Sequence, residues 1–348
     1  MNNDWKNYLL QNNASLDDND LLVFNDPYVD SQYTSDDTLV CDLSCFSTLV
    51  IAGGDAVEFM QGQFTNDVEK VDDDHSQMSS FCNNKGRMIA NFRLFRYQKN
   101  YFINLKNSLV NRSIEHLQNY VLRAEVAIQD VSDQLIHLGI SGQDTVTLLS
   151  PFFDDLNTAV NGVSQNDNYI AIRIAGSTPR YEIFCSFEHA RTLWESLADN
   201  THVVNSTYWD YLNIQNGLPF IDNDTSETFV PQMANMELID GISFEKGCYT
   251  GQEIVARTHF LGKQKRRAYR IRIISDTEPG VGDQLATTTS TENQYTGTLV
   301  TIYPVAENNY EALAVIQIKS AEENTLKLKD HEAEIILLDL PYQLTERE

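Results

Sequence analysis

Residues 230–257 read VPQMANMELIDGISFEKGCYTGQEIVAR. Thr250-Gly-Gln-Glu253 matches a capping box, in which a Thr side chain bonds a backbone N–H of the first helical turn and a Glu reaches back. The pattern predicts a helix from Gly251 to about Leu261, with Gly262 just past its end. Cys248 then stands two residues before the cap. A helix dipole and free N–H groups favour an anion there, and Lys246 adds a positive charge. Two readings of Cys248 fit the local sequence. It is a reactive thiol or soft-metal ligand, or it is a small residue at a tight turn marked by Gly247 and Gly251.

Just downstream the charge changes sign. Arg257, Lys263, Lys265, Arg266, Arg267, Arg270 and Arg272 make up seven of the chain's 25 basic residues. The whole chain has 50 acidic residues and a formal net charge of −25, which repels nucleic acid and anionic membranes over most of the surface. The 257–272 stretch reads either as a solvated face or as an anion site for a polyglutamate tail, a phosphate or RNA. No aromatic platform is interleaved with it.

No apolar run approaches the ~18 residues of a membrane span. The start, MNNDWKNYLL, lacks the basic and apolar regions of a signal peptide. Five scattered cysteines do not form a disulfide framework. The expectation is a cytoplasmic protein with reduced thiols and no membrane partner. Cys41 and Cys45 lack a second ligand pair, so no metal site is assigned to them.

Residues 1–37 are polar and read as a short helix or frayed arm. TLVCDLSCFSTLVIAG (38–53) predicts two strands around a turn, and 77–105 predicts strands with a turn at Asn83-Asn84-Lys85-Gly86. Helices are predicted at 55–68, 108–126, 187–199 and 207–218, the last stopped by Gly217 and Pro219. Residues 154–168 read as a loop. From 267 onward short strands and turns predict a small β-barrel or sandwich.

The signature stretch resembles that of the YgfZ family, folate-binding proteins related to the T-protein of the glycine cleavage system. KGC-Y-x-GQE is its specific core. LVCDLSCFSTLVIAGGDAVEFMQGQFTNDV, FCNNKGRMIANFRLF and WDYLNIQNGLP resemble the opening, second and third blocks of the wider superfamily, so the resemblance covers most of the chain. It implies an α+β fold: a T-protein-like ring of three domains around a central folate cavity. The implied domains are a polar arm at 1–37, a folate-binding region at 38–262 with two interleaved subdomains and the signature at 244–257, and a C-terminal β-barrel at 263–348.

The resemblance also assigns residues. The Asp tied to one-carbon transfer in the transferases falls on Asn91, a folate-binding candidate whose amide can hydrogen-bond the pteridine or its one-carbon nitrogen but cannot act as a base. The Arg of their third block falls on Trp209. Glu182 aligns with a Glu that bonds the pteridine, though an exposed strand Glu is the plain alternative. Lys85 is a candidate contact for the folate glutamate. Lys246, Gly247, Cys248, Tyr249, Gly251, Gln252, Glu253 and Arg257 carry over directly to the motif. Cys248 would be a transient cluster ligand or a group attacking an activated folate, with Lys246 keeping it ionised. Thr250, Gln252 and Glu253 would hold the helix start.

The implied function is an accessory one. The protein would bind tetrahydrofolate or a one-carbon derivative. It would support assembly or repair of [4Fe–4S] clusters in client enzymes, including radical tRNA-modifying enzymes, as a monomer. The alternative is a folate-dependent one-carbon transferase or oxidoreductase acting on a small amine. Asn91 disfavours aminomethyl transfer. A separate third reading is a direct RNA-binding protein that contacts tRNA through the 257–272 basic stretch.

Overall fold

The computed structural model describes all residues except 19, 263, 288–294, 324 and 345–348. It has the expected α+β architecture, arranged in two compact units. One comprises Met1–Met60, Val68–Gln77 and Phe92–Trp209; the other comprises Gln61–Asp67, Met78–Asn91 and Asp210–Glu348. Both are therefore assembled from discontinuous pieces of chain.

The first unit holds a sheet ordered Val163–Gln165, Tyr169–Ile174, Arg180–Cys185, Ile136–Ser141, Leu39–Asp42 and His202–Val204. Only its last pairing is parallel. The helix Phe187–Ala198 covers one face, packing Ala190, Leu193, Trp194 and Leu197 on it. The helix Asn3–Gln11 adds Trp5 and Leu9, one turn apart, to the same core. Its indole N–H donates to Asp42 Oδ1 at 2.8 Å, and Asn2 caps its start. The strand Val163–Gln165 lies where the sequence predicts only loop. Three residues carry no periodic signal, and pairing with Ile170–Ile172 defines them.

Strands Phe46–Ala52, Asn100–Lys106 and Ala127–Asp130 form a second antiparallel sheet in this unit with the end of Met88–Tyr97. The predicted helix at 108–126 is shorter, Val110–Val121, and stops where Leu122 turns to φ 48°.

The second unit carries a nearly closed antiparallel barrel ordered Leu326–Leu328, Gln284–Thr287, Gly297–Ala306, Asn309–Gln317, Arg266–Ile274 and Glu334–Leu338. Tyr310, Ala312, Ala314 and Ile316 alternate into its core with Ile271 and Ile273. The predicted 207–218 helix is Ser206–Gln215, and Gly217 leaves it with φ 63°.

Candidate functional site

In the first unit, period-two alternation decides which side chains meet. Ile136, Leu138 and Ile140 enter the core under the helix Phe187–Ala198, as do Tyr181, Ile183 and Cys185. His137 and Gly139 of one strand, and Arg180, Glu182 and Phe184 of the next, therefore share the opposite face. Glu182 pairs in register with Gly139. Trp209 lies against that glycine; a β-carbon there would stand 2.9 Å from the indole. The Arg180 guanidinium stacks on the Trp209 ring at 4.3 Å, and the indole N–H approaches Glu182 Oε1 at 3.4 Å.

Glu182 is 3% exposed, which removes the plain reading of an exposed strand Glu. Its Oε2 lies 3.4 Å from Arg93 Nε and 3.8 Å from His137 Nε2, yet accepts no aligned hydrogen bond. Arg93 is pinned by donating to Asn161 Oδ1 at 2.9 Å. Burial, and then the Arg93 charge, push His137 down to about 3, so its ring is neutral. Asn104 Nδ2 meets His137 Nδ1 at 3.4 Å; with that nitrogen accepting, the ring proton sits on Nε2, facing Glu182. Burial lowers Arg180 to about 9, with Glu182 acting to hold its charge. The product is a buried carboxylate oxygen with acceptor capacity left over. That chemistry fits the amino and ring N–H donors of a pteridine. Glu182 and Trp209 are thus brought together as a pair. Sequence reasoning missed Arg93, His137, Gly139 and Arg180; for the middle strand the available signal was His137, Gly139 and Ser141 alternating with Ile136, Leu138 and Ile140.

In the second unit the signature loop is built around Lys246. Its ammonium donates to the carbonyls of Gln61 at 3.0 Å, Phe64 at 2.6 Å and Asn66 at 3.0 Å. These use all three of its N–H donors, so the amine is spent on backbone rather than on Cys248. Burial lowers it to about 8 while Asp67 acts to keep it charged. The next turn is tied down by Thr250, whose N–H bonds the Gly62 carbonyl at 3.1 Å and whose hydroxyl bonds Gln63 Oε1 at 3.2 Å.

The expected capping box does not form. The helix is Gln252–Phe260, its N-cap is Gly251 at φ 83°, and no side chain caps it. The left-handed glycine turns the chain between Thr250 and the helix, and commits the Thr hydroxyl to Gln63 instead. Glu253 is exposed, and Gln252 Nε2 reaches back to the Gly247 carbonyl at 3.4 Å. Gly251 packs on the Asn83–Gly86 turn: a β-carbon would meet the Asn83 carbonyl at 2.5 Å and Gly86 Cα at 3.0 Å. Lys85 stands exposed on that turn. Tyr249 is buried beneath the loop, and burial raises its phenol.

Cys248 is the exposed cysteine. Burial pushes Cys82 and Cys185 up to about 12 and Cys41 also well above the ordinary thiol range, so those remain protonated. Gly247 beside Cys248 has open space where a side chain would stand.

Asn91 is 1% exposed, with both ends of its amide engaged. Nδ2 donates to the Pro219 carbonyl at 2.7 Å, and Oδ1 accepts from the Ile221 N–H at 2.7 Å. It holds the segment that follows the 206–215 helix.

The basic stretch is divided by ion pairs. Glu311, 2% exposed, takes Arg270 at 2.7 Å and Arg272 at 2.8 Å. Glu237 takes Arg267 at 3.3 Å. Lys263 lies outside the described residues. Arg257 and Lys265 are exposed, and Arg266 lies over the Tyr295 ring at 5.5 Å.

The chain is 30% identical over 305 residues to the tRNA-modifying protein YgfZ of Yersinia enterocolitica, covering 87% of this chain and 92% of that protein. This chain belongs to the YgfZ family. A second YgfZ, from Pectobacterium atrosepticum, is 30% identical over 321 residues, covering 92% of this chain and 95% of its own. The GCVT N-terminal domain family matches residues 29–241. That span includes Asn91, Glu182 and Trp209, whereas the Cys248 loop lies beyond it. In fold, the chain resembles the glycine cleavage system aminomethyltransferase T from Bartonella henselae, with a TM-score of 0.78 over 96% of both chains at 15% identity. The T-protein-like architecture is thereby established. Among the described residues, no helix is long and apolar enough to cross a membrane.

Proposed function

We propose that this chain is a folate-binding accessory protein. It supports assembly or repair of [4Fe–4S] clusters in client enzymes, radical tRNA-modifying enzymes among them, with Cys248 as its working thiol. The observation that carries this reading is the contrast at Cys248. It is an exposed thiol on a loop that Lys246, Thr250 and Gly251 anchor from below, while Cys41, Cys82 and Cys185 are buried. A rigidly presented thiol can donate a soft ligand to iron. Among the described residues, no group of three His, Cys, Asp or Glu side chains is placed to hold a metal. A client would therefore supply the remaining ligands.

Glu182 Oε2 would accept the pteridine N–H donors, with Trp209 and Arg180 fixing the carboxylate from one side. When bound, a reduced folate supplies one-carbon chemistry. The aminomethyl-transfer alternative is not favoured, because Asn91 is an amide already committed to Pro219 and Ile221. Glycine-cleavage-type turnover by the purified chain would reverse that preference.

Two measurements test the proposal. A tetrahydrofolate titration is expected to saturate on wild type and to weaken at least about tenfold in Glu182→Gln, in line with loss of a charged hydrogen-bond acceptor. Asn91→Ala reports whether the amide also touches the ligand. No binding to wild type would remove the folate half. In cells, Cys248→Ala is expected to fold and to lower client activity; full client activity would remove the thiol half.

A further inference from the structure

We propose that the exposed end of the helix Gln252–Phe260, with the start of the strand that follows it, is a contact surface for single-stranded RNA. The inference is independent of the folate and thiol reading above.

The sequence shows a basic run without an aromatic platform, but the structure supplies one. Phe260 is 67% exposed and Leu261 84% exposed. Two large apolar side chains thus stand open side by side next to the cations. The Phe260 ring is held in place rather than loose. It makes T-shaped contacts with Phe244 at 6.0 Å and with His259 at 4.7 Å, and those two rings stack on each other at 3.5 Å. A fixed, open aromatic ring is what a nucleobase stacks on.

The cations around it are the unpaired part of the basic stretch. Arg267, Arg270 and Arg272 are committed to Glu237 and Glu311. Among the described residues, no ion pair engages Arg257, Lys265 or Arg266. Arg257 lies one helical turn before Phe260 and so on the same side of the helix. Lys265 and Arg266 follow shortly after Leu261, and the Arg266 guanidinium rests on Tyr295, a second exposed ring. The chain elsewhere carries a large negative excess. A polyanion is therefore repelled from most of the surface and admitted here. The pairing of an aromatic ring with separated cations suits a strand that alternates bases and phosphates.

The test uses the purified full chain with no folate and no client, so its failure would leave the thiol and folate readings standing. A fluorescein-labelled oligouridylate of about 12 nucleotides is titrated by anisotropy between about 50 and 200 mM salt. Saturable binding that weakens with salt is expected. Phe260→Ala should weaken it about 5- to 100-fold, and Arg257→Gln with Lys265→Gln should flatten the salt dependence. All these positions are on the surface, and circular dichroism checks that the variants fold. Absence of saturable binding at low salt overturns the proposal, as does a Phe260→Ala variant that binds like wild type. It is also overturned if a hexaglutamate peptide binds and depends on Phe260 in the same way, which would assign the surface to an acidic peptide chain, a polyglutamate tail included.

Discussion

Lys246 Nζ donates to the Phe64 carbonyl at 2.6 Å, and this bond ties the signature loop to the 61–66 segment. Replacing the lysine by Met leaves the Phe64, Gln61 and Asn66 carbonyls without their donor. Lys246→Met is expected to cost about 1–3 kcal/mol, the range for stranding a buried polar group. Cys248→Ala, on the exposed side of the same loop, is expected to stay within about 0.5 kcal/mol of wild type. Urea denaturation of the two variants separates them. Equal, small losses would mean that Lys246 is not the anchor and would restore it as a partner for the thiol.

Gly86 and Gly251 face each other. A β-carbon on Gly86 would meet the Gly251 carbonyl at 3.1 Å and Ile254 Cβ at 2.8 Å, and both glycines have positive φ. Each Gly→Ala change combines backbone strain with overpacking, at about 1–3 kcal/mol. Once one alanine has pushed the turn and the loop apart, the second meets less resistance. The double variant is therefore expected to fall short of additivity by more than about 0.5 kcal/mol. Simple addition of the two losses would show that the contact is not shared.

These glycines also show what the sequence could tell. Asn83-Asn84-Lys85-Gly86 is legible as a turn because Gly at a left-handed position is a local requirement, and Gly86 has φ 67°. The strands Leu39–Asp42 and Phe46–Ala52 are legible from their β-rich runs. The capping box was locally plausible and still did not form, because the Gln63 side chain, far away in the sequence, takes the Thr250 hydroxyl. The basic stretch is only partly legible for a similar reason. Its continuity in sequence hides Glu237 and Glu311, which meet its arginines only after folding. The resemblance located Glu182, but its buried ring of Arg93, His137 and Arg180 depends on register between strands.

His137 makes the protein sensitive to acid. Its folded-state value is pushed down to about 3 from an ordinary 6.5. Between those values the unfolded chain binds a proton that the folded one refuses. Stability from this group is thus full above about pH 6.5 and is lost as pH falls toward 3, with a slope near 1.4 kcal/mol per pH unit. The stability–pH curve of His137→Gln should be shallower than that of wild type by this slope within the window. Parallel curves would show that His137 becomes charged without leaving its place.

The Glu311 fork yields the sharpest test of how the basic stretch is used. Arg270 donates to Glu311 Oε2 through Nε at 3.1 Å and Nη2 at 2.7 Å, and Arg272 donates to Oε1 at 2.8 Å. Arg272 stands opposite Glu311 in the strand register, and Arg270 is two residues along on the same face. The carboxylate is buried, so removing it leaves two guanidinium groups without a counter-charge. Because both arginines reach solvent in part, Glu311→Ala is expected to cost about 2–3 kcal/mol, mostly from the lost charged hydrogen bonds. Arg272→Ala removes a side chain that is 40% exposed and leaves Arg270 in place; about 1 kcal/mol or less is expected. Thermal melts rank the two. A near-neutral Glu311→Ala would mean that these arginines are held loosely and are available to an outside anion. The predicted large loss places them in the barrel wall, and leaves Arg257, Lys265 and Arg266 as the cations that face outward.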